Sequence, residues 1–238
     1  MAENRIQLLT FDLDDTLWEL APVLRRAETL SYNWLQSNAP TVTELFTVEQ
    51  LRELRSQIAR DRPDLSHRVT ELRKLLLRQA MTLAQIEEHR IEALSDAAFQ
   101  VFLQARHEVE LFEAAEAGLD HLRGHFTLAA ITNGNFDISA VGLNRYFSFS
   151  VNAERLQRAK PHPEPFEEAL RMAGCRADQC IHIGDDIEND VRGAQRVGFA
   201  TIWLNMRGVA WPGGEPPSRE IQHLSELPDA VWEIAGRR

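Results

Sequence analysis

The segment from Ile6 to Leu13 is mostly apolar, too short for a typical helix, and stops abruptly at Asp14-Asp15-Thr16. A run of this kind has the profile of a strand buried on both faces, as in the middle of a parallel sheet. After Glu110 the chain supplies partners for it. Apolar runs at Phe126–Thr132, Phe147–Val151, Ile181–Gly184 and Ala200–Leu204 are separated by helix-period segments. Helices are expected at Ala114–Arg123, Pro165–Ala173 and Glu188–Val197, each stopped by a glycine, Gly124, Gly174 or Gly198. A Gly/Pro-rich loop from Gly208 to Pro217 precedes a last short strand and helix. Strands alternating with helices predict an α/β fold, a Rossmann-like parallel sheet flanked by crossover helices. In such a sheet, reactive groups gather at the carboxyl ends of the strands.

Between the first strand and this alternation the period is helical. Val23, Ala27, Leu30 and Trp34 fall on one face; Val48, Leu51, Leu54 and Ile58 on another; Val69, Leu72, Leu75 and Leu76 on a third. Thr82 with Gln85 reads as a capping box opening a further helix, whose stripe is Leu94, Ala98, Val101 and Ala105. We therefore expect an α-helical bundle of four or five elements, residues 19–110, inserted into an α/β core made of residues 1–18 and 111–238. The two parts differ in charge: net −2 for 19–110 and −8 for the rest.

The total of −10 argues against a surface for nucleic acid or another polyanion, and interspersed acids make Arg25, Arg26, Arg52, Arg55 and Arg60 a solvated face. Cys175 and Cys180 are too close to frame a fold and read as reduced thiols. No apolar run nears the roughly 18 to 20 residues that cross a bilayer, and the N-terminus lacks a signal-peptide profile, so a soluble, cytoplasmic protein without a membrane partner is expected.

The chemistry lies at the strand ends. Asp12, Asp14, Asp15 and Thr16 end the first strand, and Asp185, Asp186 and Asp190 follow the fourth. Clustered carboxylates repel one another, and a bound cation is the simplest offset. All-oxygen ligation completed by a substrate phosphate suits Mg²⁺. One such turn alone is as well explained by Asp capping a helix; two after apolar strands of one sheet are not. Thr132 and Asn133 would offer a hydroxyl and amide donors to an anion. Lys160 is one of only two lysines, with Lys74, among 26 basic residues; a compact charge on a flexible stem suits a phosphate site. His121, His125, His162 and His182 show neither a helical pair nor zinc spacing and read as surface or packing residues. Trp34 and Trp203 read as core. Trp18 directly follows the acidic turn and could stack on a flat ring or pack within the hinge.

These residues resemble the four motifs of the haloacid dehalogenase-like hydrolase superfamily, in order: FDLDDTL at Phe11–Leu17, ITNG at Ile131–Gly134, Lys160 with Pro161 and Pro163, and HIGDDIEND at His182–Asp190. The helical insert is similar in place and length to the family's C1 cap. Within the superfamily, the wording is most like bacterial phosphatases of flavin mononucleotide and of 5-amino-6-(5-phospho-D-ribitylamino)uracil.

The resemblance implies a Mg²⁺-dependent phosphomonoesterase acting on a small phosphorylated metabolite, working as monomer or homodimer, with cap closure excluding water. Asp12 would be the nucleophile and Asp14 the acid and base. Thr132 and Lys160 would hold the phosphoryl group, and Thr16, Trp18, Asn133 and Gly134 would support substrate binding. The metal would be bound by Asp12, the carbonyl of Asp14 and Asp185, with Asp190 acting through water and Asp186 either holding a metal-bound water or capping the next helix. In the family, dehalogenases lack an acid at the place of Asp14 and use no metal, which favours phosphoryl chemistry here. A sugar-phosphate or nucleotide phosphatase, a phosphomutase, and a catalytically silent phospho-ligand-binding protein are the alternatives.

Overall fold

The computed structural model describes residues 6–65 and 67–236. Its elements run β1 (Leu8–Phe11), α1 (Leu20–Asn38), α2 (Pro40–Leu45), α3 (Val48–Asp61), α4 (Val69–Leu83), α5 (Glu88–Arg106), α6 (Ala115–Arg123), β2 (Thr127–Thr132) and β3 (Phe149–Asn152). They continue as α7 (Ala153–Leu156), α8 (Glu164–Ala173), β4 (Cys180–Gly184), a π-helical turn (Ile187–Arg192), α9 (Gly193–Arg196), β5 (Ala200–Leu204), β6 (Arg219–Ile221) and α10 (Leu227–Ile234). The chain divides into two compact units: one runs up to Glu19 and resumes at Glu110, and the other is Leu20–Val109.

In the first unit, six strands form one parallel sheet in the order β3-β2-β1-β4-β5-β6. All four residues of β1 are buried, as the apolar run requires of a strand covered on both faces. Leu8, Ala129, Ile131 and Val151 of the sheet pack with Phe166 and Ala169 of α8 and Ala194 of α9. Gly174 ends α8 in the left-handed region, φ 67°, where a side chain would be strained. Because β1 lies between β2 and β4, three strand ends that carry polar residues meet at one edge.

The helical unit has its own apolar core, from Ala27 and Leu35 through Leu51, Leu72 and Leu76 to Phe99 and Phe102. Two sequence expectations fail here. The buried stripe of α1 is Val23, Ala27, Ser31 and Leu35, a strict i, i+4 series; Leu30 is exposed. Ser31 joins the core because its hydroxyl donates to the carbonyl of Ala98 at 2.9 Å. Thr82 opens no helix: it lies inside α4, its hydroxyl bonded back to Arg78, and the next helix starts at Glu88. The capping box belongs instead to Thr47 and Gln50 at the start of α3. No helix among the described residues is long and apolar enough to cross a membrane.

Candidate active site

The loop after β1 builds one wall. The amide of Asp12 donates to Ile183 at 2.8 Å, carrying the β1–β4 ladder one residue beyond the strand. The chain then turns tightly. Thr16 and Leu17 donate back to Leu13, Asp15 takes a left-handed φ of 60°, and its amide donates to the carbonyl of Trp18 at 2.8 Å. Asp12 is buried and Asp14 half-buried at this edge.

Lys160 comes from the loop between α7 and α8. Its ammonium lies 2.6 Å from Oδ1 of Asp12 and 2.6 Å from Oδ1 of Asp190, and its side chain is 1% exposed. Burial opposes its charge, but the two carboxylates win and hold it as an ammonium, its pKa raised above the usual lysine range. Asn133 fixes this loop rather than reaching for an anion. Its side-chain oxygen accepts from the amide of Lys160 at 2.8 Å, and its side-chain nitrogen donates to the carbonyl of Lys160 at 2.9 Å. The amide of Gly134 is likewise taken, donating to the Thr132 hydroxyl at 3.0 Å. Thr132, the last residue of β2, thus has an occupied lone pair and a hydroxyl proton to give.

One ammonium does not balance the acids gathered here. Ligand oxygens of Asp12, Asp185 and Asp190 all lie within 4.8 Å of one another, the one such group among the described residues. Burial lifts the Asp12 carboxyl well above its usual range; Lys160 opposes this and the Asp190 charge adds to it. Burial would do the same to Asp190, but Lys160 and the hydrogen bond from His182 overturn it and hold that carboxyl low. Asp185 is pushed up to about 7 by burial and by the charges of Asp190, Asp15 and Asp186. Three converging carboxylates with excess negative charge are an all-oxygen donor set that fits a hard divalent cation such as Mg²⁺.

Other expected contributors take different places. The exposed Asp186 points its carboxylate at the amides of Glu188 and Asn189, 2.9 and 2.7 Å away, and caps the π-helical turn. Both amides donate to the same oxygen, Oδ1, so Asp186 serves as the N-cap of that turn. Thr16 is fully buried, its hydroxyl 3.4 Å from Asp12 Oδ2 and 3.3 Å from Asp185 Oδ1, so it bridges the acids instead of facing substrate. Trp18 is also fully buried, its indole N–H donating to Asp14 Oδ1 at 2.9 Å, and has no ring face for a ligand to stack on.

His182 was missed. It is buried in β4, with Nε2 3.2 Å from Asp190 Oδ1 and Nδ1 2.8 Å from Thr10 Oγ1. Burial keeps the ring neutral by lowering its pKa. Both contacts are satisfied when Nε2–H donates to Asp190 and Nδ1 accepts from Thr10. The available signal was a histidine between Ile181 and Ile183 in a buried strand, since a buried ring must find partners. Trp203 is core, as expected, and its indole also holds the backbone of Asp185, donating to that carbonyl at 2.9 Å. His121 and His125, read as surface or packing residues, are both exposed, their ring centroids 5.7 Å apart.

The model of a family described as haloacid dehalogenase-like hydrolase matches residues 6–198. A 5-amino-6-(5-phospho-D-ribitylamino)uracil phosphatase of Escherichia coli K12, YigB, is 31% identical, over 96% of this chain and 97% of that protein. A glyceraldehyde 3-phosphate phosphatase of Methanopyrus kandleri is 28% identical, over 97% and 99%. Among solved structures, a 2-haloacid dehalogenase from Pseudomonas syringae pv. tomato DC3000 superposes with a TM-score of 0.89 at 41% identity, covering 96% of this chain and 99% of that one.

Proposed function

Since the chain belongs to the haloacid dehalogenase-like hydrolases and is a phosphatase of that family, we propose that it hydrolyses a riboflavin-pathway phosphate, with flavin mononucleotide or the ribitylaminouracil phosphate as leading substrates. Its overall role is the hydrolysis of small phosphorylated metabolites. The substrate choice rests on the full-length relative at 31% identity. The catalytic reading rests on one observation above all: Lys160 tied to both Asp12 and Asp190, with Asp14 two residues beyond Asp12. We read the helical unit, Leu20–Val109, as the C1 cap that carries selectivity.

In this reading Asp12, Asp185 and Asp190, with the carbonyl of Asp14, would hold Mg²⁺. The cation, when bound, offsets negative charge on nucleophile and phosphate. A carboxylate oxygen of Asp12 attacks phosphorus, and the bond from phosphorus to the ester oxygen breaks as Asp14 gives that oxygen a proton. Asp14 then takes a proton from water. The water oxygen attacks the phosphorus of the aspartyl-phosphate, releasing inorganic phosphate and restoring Asp12. Thr132 donates its hydroxyl proton to a phosphoryl oxygen, and Lys160 places a fixed positive charge beside the reacting centre.

The likeness to a solved 2-haloacid dehalogenase favours a second reading, carbon–halogen cleavage by Asp12. Halide departs as an anion and needs no proton, so Asp14 would have no task there, and the converging carboxylates would have no phosphate to serve. Assaying p-nitrophenyl phosphate, flavin mononucleotide and 2-chloropropanoate with Mg²⁺ separates the two. Phosphate release abolished in Asp12→Asn, with no halide release, is expected; halide release without phosphate release would replace the phosphatase reading. Free phosphate in step with substrate lost argues against a mutase. Absence of any turnover would leave only a binding role.

A further inference from the structure

Trp18 follows the nucleophile turn and touches no open surface, and it is the largest fully buried side chain among the described residues. Its indole N–H donates to Asp14 Oδ1 at 2.9 Å. Two features hold that donor still. The turn between the residues is closed by the amide of Asp15 on the carbonyl of Trp18, and the indole packs on Phe136 with ring centroids 4.6 Å apart. Phe136 lies in the loop that leaves Thr132, so one ring joins the loop of the acid to the loop of the phosphate-facing hydroxyl.

We propose that Trp18 is a positioning residue for proton transfer, fixing which oxygen of Asp14 carries the proton given to the leaving group. The inference rests on the phosphatase reading. Indole is a donor only. Oδ1 must therefore remain an acceptor whether Asp14 is charged or neutral, and the transferable proton resides on Oδ2. A carboxyl held this way delivers its proton from one oxygen in one orientation, instead of losing time to rotation about its Cβ–Cγ bond.

The test uses two esters that differ in their need for an acid. The p-nitrophenolate of p-nitrophenyl phosphate leaves without a proton; the ribityl alkoxide of flavin mononucleotide does not. The readout is kcat/KM, which covers steps up to the first irreversible one and so includes departure of the alcohol. Trp18→Phe, and Trp18 replaced by 3-benzothienylalanine, an isostere with sulfur where indole has N–H, are compared with Asp14→Asn. We expect both Trp18 replacements to lower kcat/KM for flavin mononucleotide by about tenfold or more, within the range of general-acid effects, while p-nitrophenyl phosphate changes by less than about twofold. Equal losses on both esters, or an isostere indistinguishable from the parent enzyme, would overturn the proposal. Should Asp14→Asn itself show no difference between esters, the acid role of Asp14 fails and the inference falls with it. Because the isostere keeps the shape of the indole, its result stands even where Trp18→Phe folds poorly.

Discussion

The ammonium of Lys160 sits 2.6 Å from Oδ1 of Asp12, 148 residues earlier in the chain, in a place closed to bulk solvent. Lys160→Met keeps the length of the stem but removes the charge between two buried carboxylates. Breaking a buried pair from one side costs about 3–5 kcal/mol. Thermal denaturation should show that loss near neutral pH and partial recovery as acid protonates Asp12; phosphatase kcat should fall about 10²-fold or more. A Tm deficit that stays constant across pH would mean that Lys160 acts by packing alone.

Metal should stabilise the protein more at high pH than at low. In the metal-free protein, Asp185 is pushed from 3.8 up to about 7. Between those values the folded state holds a proton that the unfolded state has lost, so stability falls as pH rises through that window. Mg²⁺ supplies the missing positive charge only where the carboxyl is ionised. The Tm gain on adding Mg²⁺ is expected to be small near about pH 5.5 and larger near about pH 8, where the proton no longer competes. A gain that does not change with pH would argue that the ion binds elsewhere.

Gly184, the last residue of β4, leaves room for Asp190. A Cβ added there would lie 2.3 Å from both Cγ and Oδ2 of Asp190, so one of them must move. Gly184→Ala should displace that carboxylate from Lys160 and from the amide of Asp186, which it accepts at 3.0 Å. Mg²⁺ titration followed by activity should show affinity weaker by about 10- to 100-fold, with far-UV circular dichroism unchanged. Parent-like affinity would show that Asp190 is not needed for the ion.

His182 supports Asp190 from behind. His182→Phe keeps a ring beside Phe166, whose centroid is 5.2 Å away, and removes the donor to Asp190. Loss of such a supporting hydrogen bond weakens metal binding by about tenfold or more. Thr10→Val, one bond further back, should shift affinity in the same direction by less. An unchanged Mg²⁺ affinity in both variants would reduce His182 to a packing residue.

Much of this arrangement is legible in the chain. Ala200–Leu204 is a strand over the bounds that its apolar run suggests, and the runs Ile6–Leu13, Phe126–Thr132 and Ile181–Gly184 contain β1, β2 and β4. Hydropathy succeeds there because burial on both faces makes these runs almost continuously apolar. It is weaker in α1, where Ser31 is buried because of a hydrogen bond to another helix, and hydropathy carries no record of that bond. The sequence offers Asn133, Gly134 and Thr16 to a ligand and leaves Asp186 between a metal-bound water and a helix cap. The structure gives Asn133, Gly134, Thr16 and Oδ1 of Asp186 partners within the protein, and local sequence does not say which acceptor a donor will meet.

The amino-acid order by itself determined the alternation of strand and helix, the interruption by a helical segment, and the set of acids, hydroxyl and lysine available for chemistry. Those depend on side-chain type and on spacing along the chain, which are local quantities. Tertiary structure alone decided the partnerships: Lys160 with Asp12 and Asp190, His182 with Asp190, Trp18 with Asp14. All but the last join residues eight or more positions apart. They exist because the parallel register sets β1 between β2 and β4, and because burial there makes an unpaired charge or donor too costly to leave alone.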